Sequence, residues 1–267
     1  MKIYNNYHLN DLNSFKLPSI VDTIYYPETF NELKVLISDI PDVPILAGGT
    51  NVLLKEYYEE IVSLDLLPQN ITRIYDYLCV DCNVKTQKLI NYTIQNSLAG
   101  LEGLWGLPGT VGGAITMNAG SGEDCISNKI YSITTLTRDG KIKIYQKEDL
   151  KFNRRYSIIQ DTNDIILQAV FNLPVKKINK EKIQQAKVWR QSFASFASAG
   201  GVFTNWHALK PYKENILEIS NDYIKVWDKH INVLLNKGNA RHDDVIHVIN
   251  QIQEIVPEPL QLEIKIL

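Results

Sequence analysis

Glycine placement constrains this chain more than any other feature. Eight of its 14 glycines lie between Gly100 and Gly122, and two more form the adjacent pair Gly48-Gly49. Glycine loses more conformational freedom on folding than any other residue, so this concentration needs a reason: backbone with φ > 0, or main chain brought close to something else. In the first segment an apolar run, Ile45-Leu46-Ala47, ends in Gly48-Gly49-Thr50-Asn51 and resumes as Val52-Leu53-Leu54. Successive N–H groups without Cβ atoms can form a concave nest for an anion. The same pattern also suits a tight turn between two strands, and the local sequence leaves both open. It is not GxGxxG and no Walker lysine follows, so neither the Rossmann fingerprint nor the P-loop applies. In the second segment Pro108-Gly109 marks a turn. Gly112-Gly113-Ala114-Ile115-Thr116 then predicts a loop entering a short helix, with free N–H groups at its start for an anion or a polar ring edge.

Composition excludes several classes. The 267 residues carry 28 Lys+Arg against 30 Asp+Glu, a formal charge of −2, which gives no global field for a nucleic-acid backbone. At 45% hydrophobic residues the chain can bury a large core. Its apolar runs fall far short of the ~20 residues of a membrane span. The start, MKIYNNYHLN, has no apolar leader core, and three cysteines do not make a disulfide framework, so a reducing cytoplasm is the expectation.

The periodicities interleave strands and helices. Strands are predicted at Ser19–Tyr26, Pro44–Ala47, Ile61–Leu66, Tyr77–Cys82 and Asp164–Leu173, and a hairpin at Ile130–Thr137 and Ile142–Tyr145 around Asp139-Gly140. Helices are predicted at Pro27–Ile40, Thr86–Ser97, Lys177–Ser192 and Ala240–Val256. Leu260–Ile266 alternates strictly, with Leu260, Leu262, Ile264 and Ile266 on one face and Gln261, Glu263 and Lys265 on the other. The class is α+β, with a boundary near Pro174–Asn179. Cys79 and Cys82 sit at i, i+3 of a strand and diverge, and His242 and His247 are five apart on a helix rather than four, so no metal site is expected. Lys187 and Arg190, on a polar helix, could meet a ligand's pyrophosphate, a solvated helix face being the plainer reading.

The two glycine segments resemble the flavin-binding signature of the UDP-N-acetylenolpyruvoylglucosamine reductase (MurB) family, whose fold is of the vanillyl-alcohol oxidase type. The resemblance continues in family order along nearly the whole chain: Asn13-Ser14-Phe15, Phe152-Asn153-Arg154-Arg155-Tyr156-Ser157, Ser198-Ala199-Gly200-Gly201-Val202-Phe203-Thr204-Asn205, His230 to Ala240, and Leu262-Glu263-Ile264. It implies two α+β FAD-binding subdomains (about 1–60 and 61–175) and a substrate domain over 176–267. It implies non-covalent FAD held by Ala47, Gly48, Gly49, Thr50, Asn51, Val52, Pro108, Gly109, Thr110, Gly112, Gly113, Ala114, Asn118 and Gly120. NADPH is the implied hydride donor and a UDP-linked enolpyruvyl sugar the substrate, in peptidoglycan precursor synthesis. Arg155 and Glu263 are the implied catalytic and substrate-contacting residues, with Asn205 also on the substrate. Neither a nucleic-acid nor a membrane partner is expected.

One position departs from the pattern. Gly201 stands where the family has a proton-donating Ser, and the flanking residues fix the register. Glycine cannot donate a proton. A water takes the vacated volume, or the substrate differs, or reduction has been lost; a flavoprotein of another substrate or without turnover is thus the alternative function. Lys16 replaces the family glycine after Asn13-Ser14-Phe15, and Thr204 and Trp206 replace Lys and Pro.

Overall fold

The structure is a computed structural model that describes residues 1–191, 197–219 and 221–267. Its strands are β1 (Lys2–His8), β2 (Ile20–Tyr26), β3 (Ile45–Leu46), β4 (Val52–Leu53), β5 (Tyr57–Ser63), β6 (Ile71–Ile74), β7 (Tyr77–Asp81), β8 (Gly120–Ser121), β9 (Asp124–Cys125), β10 (Ile130–Leu136), β11 (Ile142–Gln146), β12 (Ile165–Asn172), β13 (Ile224–Val226), β14 (Leu234–Asn236) and β15 (Lys265–Ile266). The helices are α1 (Phe30–Asp39), α2 (Thr86–Gln95), α3 (Val111–Thr116), α4 (Ile159–Thr162), α5 (Lys180–Gln191), α6 (Lys213–Glu218) and α7 (His242–Ile255). Ser192, the expected end of the α5 helix, lies outside the described residues. A four-stranded sheet has the order β1-β2-β5-β3, and a five-stranded antiparallel sheet the order β11-β10-β12-β7-β6.

The chain forms two compact units, neither continuous in sequence. The first takes Met1–Ile3, Tyr25–Gly48 and Val62–Ala194, and the second takes Tyr4–Ile24, Gly49–Ile61 and Ser195–Leu267. The division expected from sequence, 1–175 and 176–267, follows the chain instead. Packing explains the difference. Phe15, Leu17 and Leu53 are buried in the core of the second unit, which draws residues before 60 into it. Helix α5 belongs to the first unit because its start is fastened there: Asn179 N–H donates to the carboxylate of buried Glu102 at 3.1 Å, and Lys182 Nζ donates to Asp124 at 2.7 and 2.8 Å.

In the first unit the core is the five-stranded sheet with two short helices. Val80, Ile133, Ala169 and Phe171 of the strands join Leu89 and Ile90 of α2 and Val111 and Ile115 of α3 in one buried cluster. Burying each of these side chains larger than alanine is worth ~1.5–3 kcal/mol. The hairpin signal is met, with Leu136 opposite Ile142 and Gly140 at φ +77 in the turn. In the second unit α7 buries Val245, Val248, Ile249 and Ile252 against Phe15, Phe203, Leu209 and Ile216. Strand β15 pairs in parallel with β4, Lys265 opposite Val52.

The alternation over Leu260–Ile266 does not become a strand of that length. Only Lys265–Ile266 is strand, Leu262 and Ile266 are exposed, and Ile264 alone is deeply buried. The segment bonds to loops rather than to a full ladder: Leu262 bridges Phe203, and Glu263 N–H donates to Val202 O at 2.7 Å.

Candidate functional site

In the first unit, β3 leads Ala47 and Gly48 against the second glycine segment. A Cβ on Gly48 would stand 2.9 Å from Gly109 Cα and 3.2 Å from Thr110 N, so main chain here touches main chain. Gly109 has φ +90, and the adjacent Pro108 is exposed. Thr110 caps α3, its hydroxyl accepting from Gly113 N–H at 3.3 Å.

The free N–H groups expected at the start of this helix are already bonded within the protein. Val111 N–H donates to Val84 O at 2.9 Å and Gly112 N–H to Cys82 O at 2.8 Å. The helix is docked on the end of β7, where a Cβ on Gly112 would come within 3.1 Å of Cys82 Cβ. Gly112 therefore serves helix–strand packing, and Ala114 is buried beside it. Gly113 is different: a Cβ there would meet only Thr110 Oγ1 at 3.5 Å.

Asn118 follows at φ +39 and is 5% exposed. Its Nδ2 donates to Asn153 O at 2.8 Å, whereas its Oδ1 is buried with no hydrogen-bond partner among the described residues. Leaving such an acceptor unmade costs ~1–3 kcal/mol, so the position is suited to a ligand N–H or O–H.

Arg155 lies in the same unit, half-buried, while its neighbour Arg154 is exposed. Its Nη2 donates to Gly120 O at 2.9 Å. Its backbone is left-handed, φ +54, which costs an L-residue ~1–2 kcal/mol. The strain is held by Gln160, whose Nε2 donates to both Arg155 O (2.9 Å) and Thr116 O (2.8 Å). Such overdetermined outliers cluster at functional sites. Arg190 is not on a solvated face as the sequence suggested. It is half-buried and crosses Gly106, where a Cβ would meet its Cγ at 2.9 Å. Burial, and then the like charge of Arg155, push its guanidinium down to about 10, still a cation at neutral pH. Lys187 lies 5.0 Å from the centre of the Trp105 ring.

In the second unit, Gly49 has φ +62 and a Cβ there would overlap the Leu12 carbonyl. Thr50 and Val52 are half-buried around it. Asn51 Nδ2 donates to Glu263 O at 3.0 Å. A Cβ on Gly201 would stand 2.9 Å from Asn232 Nδ2 and 3.5 Å from Glu263 Oε2. Asn232, 3% exposed, bonds both ways to Phe203, its Nδ2 donating to the carbonyl and its Oδ1 accepting from the N–H, each at 2.9 Å. Asn205 is a clamp: its Nδ2 donates to Pro259 O at 3.0 Å and its Oδ1 accepts from Gln261 N–H at 2.9 Å. Asn232 carried no expected role, although it stands inside the His230–Ala240 stretch. Among the described residues no group of three His, Cys, Asp or Glu side chains could hold a metal ion, and no helix is long and apolar enough to cross a membrane.

Comparison with known proteins is informative over the whole length. An FAD binding domain family matches residues 22–145. UDP-N-acetylenolpyruvoylglucosamine reductase of Caldanaerobacter subterraneus subsp. tengcongensis is 30% identical over 98% of this chain and 91% of its own. The chain belongs to the UDP-N-acetylenolpyruvoylglucosamine reductase family. The Francisella tularensis reductase is 29% identical over 96% of this chain and 95% of its own. The crystal structure of the Thermus caldophilus reductase has the same fold, with a TM-score of 0.79 at 24% identity, covering 99% of this chain and 98% of that one.

Within that family pattern two departures acquire a geometry. Lys16, in place of glycine, has φ +57, a conformation that favours glycine. Trp206, in place of proline, stacks on His207 at 4.1 Å and lies 4.8 Å from His230, with Lys210 Nζ 5.1 Å over its ring.

Proposed function

We propose that this protein is an FAD-dependent, NADPH-using oxidoreductase that reduces UDP-N-acetylenolpyruvoylglucosamine to UDP-N-acetylmuramate, a cytoplasmic step in peptidoglycan precursor synthesis. Family membership over the whole length carries the reading. The bare approach of Gly48 to Gly109 and Thr110, with the open acceptor of Asn118, fits a flat ring laid against main chain. Of the first unit, Gly48, Pro108 to Thr110, Gly113 and Asn118 would hold FAD non-covalently.

Bound FAD supplies hydride transfer between NADPH and the enolpyruvyl carbon. The protein must then stabilise negative charge beside the substrate carboxylate and deliver a proton to the neighbouring carbon. Arg155 suits the first task, since a guanidinium makes charge-assisted, bidentate bonds to a carboxylate. Its left-handed backbone and bond to Gly120 O fix its direction before substrate arrives. For the second task position 201 offers nothing, and the Glu263 carboxyl, 3.5 Å from where a Cβ at 201 would stand, is the adjacent group able to hold a proton. The new C–H bond takes the proton of the Glu263 carboxyl, and the carboxylate left behind regains one from solvent.

The bare position 201 also supports a second reading, a flavoprotein of this family without reductase turnover. One experiment separates them. Purified protein loaded with FAD should lose its yellow colour on adding NADPH and recover it on adding UDP-N-acetylenolpyruvoylglucosamine. Recovery should fall ~10²–10⁴-fold in Glu263→Gln, the usual worth of a positioned acid. Bleaching without recovery would favour the second reading, and failure to take up FAD would remove both.

A further inference from the structure

We infer that Gln160 is a positioning residue that holds the turn presenting Arg155 and registers it against the end of α3. The inference rests on the reading of Arg155 given above, and every residue it uses lies in the first unit. Residues Asn153 to Tyr156 close a four-residue turn, with Tyr156 N–H donating to Asn153 O and Asn153 N–H to Tyr156 O, each at 3.1 Å. Arg155 is the third residue of this turn, at φ +54. Positive φ at the third place of a turn ordinarily calls for glycine or asparagine, so an arginine there needs a hold from outside the turn. The two amide hydrogens of Gln160 supply it. One goes to Arg155 O at 2.9 Å, and the other goes to O of Thr116, the last residue of α3, at 2.8 Å.

Alternate residues at the end of α3 and beyond it all face this turn. Thr116 O takes Gln160 Nε2, Asn118 Nδ2 donates to Asn153 O at 2.8 Å, and Gly120 O accepts from Arg155 Nη2 at 2.9 Å. Buried Ser157 gives Thr116 O a second donor, its Oγ at 2.8 Å, so the docking of this loop on α3 survives the loss of Gln160. The bond from Tyr156 O–H to Asp161, 2.5 Å, fixes the tyrosine ring and leaves the Arg155 carbonyl alone. Gln160 is the side chain that joins the strained residue itself to the helix. Its own place is fixed by a bond from its N–H to Ser157 O at 3.0 Å. The purpose is register: the guanidinium rides on a backbone form that an L-residue tends to leave. A misplacement of ~1 Å at a reacting group can cost ~10²-fold in rate.

The test uses the full chain and two variants: Gln160→Met, of similar length without an amide, and Gln160→Asn, one methylene too short to span both carbonyls. Hydrogen exchange is read, without substrate, at Tyr156 N–H, which closes the turn. It should accelerate ~10-fold in both variants, the change that ~1.4 kcal/mol of lost restraint gives. Glycine accepts the left-handed form without strain, so Arg155→Gly should remove the need for the brace. Adding Gln160→Met to Arg155→Gly should leave exchange at Tyr156 within about twofold of Arg155→Gly alone, against that tenfold. Loaded with FAD, the Gln160 variants should match the parent in FAD affinity and in bleaching by NADPH within about twofold. Saturating UDP-enolpyruvyl sugar should then restore their colour ~10–100-fold more slowly. Unchanged exchange at Tyr156, equal acceleration in the Arg155→Gly background, acceleration spread over β10 and β12, or unchanged recovery of colour would each overturn the inference. A parent protein that bleaches with NADPH but does not respond to the sugar would instead overturn the reductase reading, and the exchange result, which needs no sugar, still decides whether Gln160 holds the turn.

Discussion

Gly49 apart, whose Cβ would overlap the Leu12 carbonyl, the glycine positions that matter differ between the two units. In the first, glycine stands where the backbone demands it: Gly48 meets Gly109 main chain at 2.9 Å, Gly109 has φ +90, and Gly112 lets a helix settle on Cys82. In the second, Lys16 adopts φ +57 where the family pattern has glycine. Gly201 occupies a position with no left-handed backbone, beside a carboxylate, where the pattern has a side chain. The loops carrying Gly48, Gly109 and Gly112 are held by close packing or a left-handed backbone that a side chain would strain. The loops around Gly201 are tied instead by side-chain amides, Asn205 to Pro259 and Gln261 and Asn232 to Phe203.

The largest effect that would break this contrast is at Gly48. Gly48→Ala drives a Cβ into Gly109 and Thr110, backbone that cannot swing aside. We expect a loss of ~1–3 kcal/mol in stability from overpacking and loss of FAD uptake, measured by denaturation and by absorbance titration. An alanine variant that still binds FAD normally would remove close approach as the reason for this glycine. Next comes Gly201→Ser. Its Cβ presses on Asn232 Nδ2, the end of a side chain locked to Phe203, so stability should fall by ~1 kcal/mol. Turnover should nevertheless rise if the proposed role of Glu263 holds, because a hydroxyl would then stand beside the proton-donating carboxyl. Turnover below the parent's would mean that position 201 is bare because room is needed.

Lys16→Gly sharpens the other half of the contrast. Removing a left-handed lysine should raise stability by about 1 kcal/mol, read as an upward shift of the denaturation midpoint. The exposed ion pair lost with it, Lys16 to Asp11 at 3.0 Å, counts for little. A lower midpoint would show that Lys16 contributes through contacts. The smallest effect is at His230. Burial holds its pKa below the ordinary value, so the unfolded chain binds a proton that the folded one resists. Its contribution is fully present above the unfolded value of about 6.5 and fades as pH falls through that value toward the folded one. Unfolding measured between pH 7.5 and 5.5, ~1 unit either side of that value, should show this fall in the parent and a shallower one in His230→Asn. Equal slopes would exclude the residue.

Much of this was legible in the sequence. The hairpin around Gly140, the apolar strand β12 and the stripe of α7 follow from short-range periodicity, and the structure keeps them. Strand β1 escaped notice because its seven residues are nearly all solvent-facing and show no apolar alternation. The amides at the start of α3 looked free because their acceptors, Cys82 O and Val84 O, lie some thirty residues upstream. The alternation of 260–266 misled for a related reason: its partners are the main chain of Val202 and Thr204 together with the side chains of Asn51 and Asn205, invisible to a pattern read along one segment. Arg155 was found by motif, but its strained backbone could be seen only in three dimensions.

The interleaving of the two units has a consequence for biosynthesis. Residues 4–24 and 49–61 leave the ribosome long before 195–267, the stretch that completes their core. While they wait, Phe15, Leu17 and Leu53 have no native burial of their own. Apolar surface left open in this way invites association. The first unit, whose last segment emerges earlier, is the half that can mature during translation, and the half carrying Glu263 should be the one that leans on chaperones.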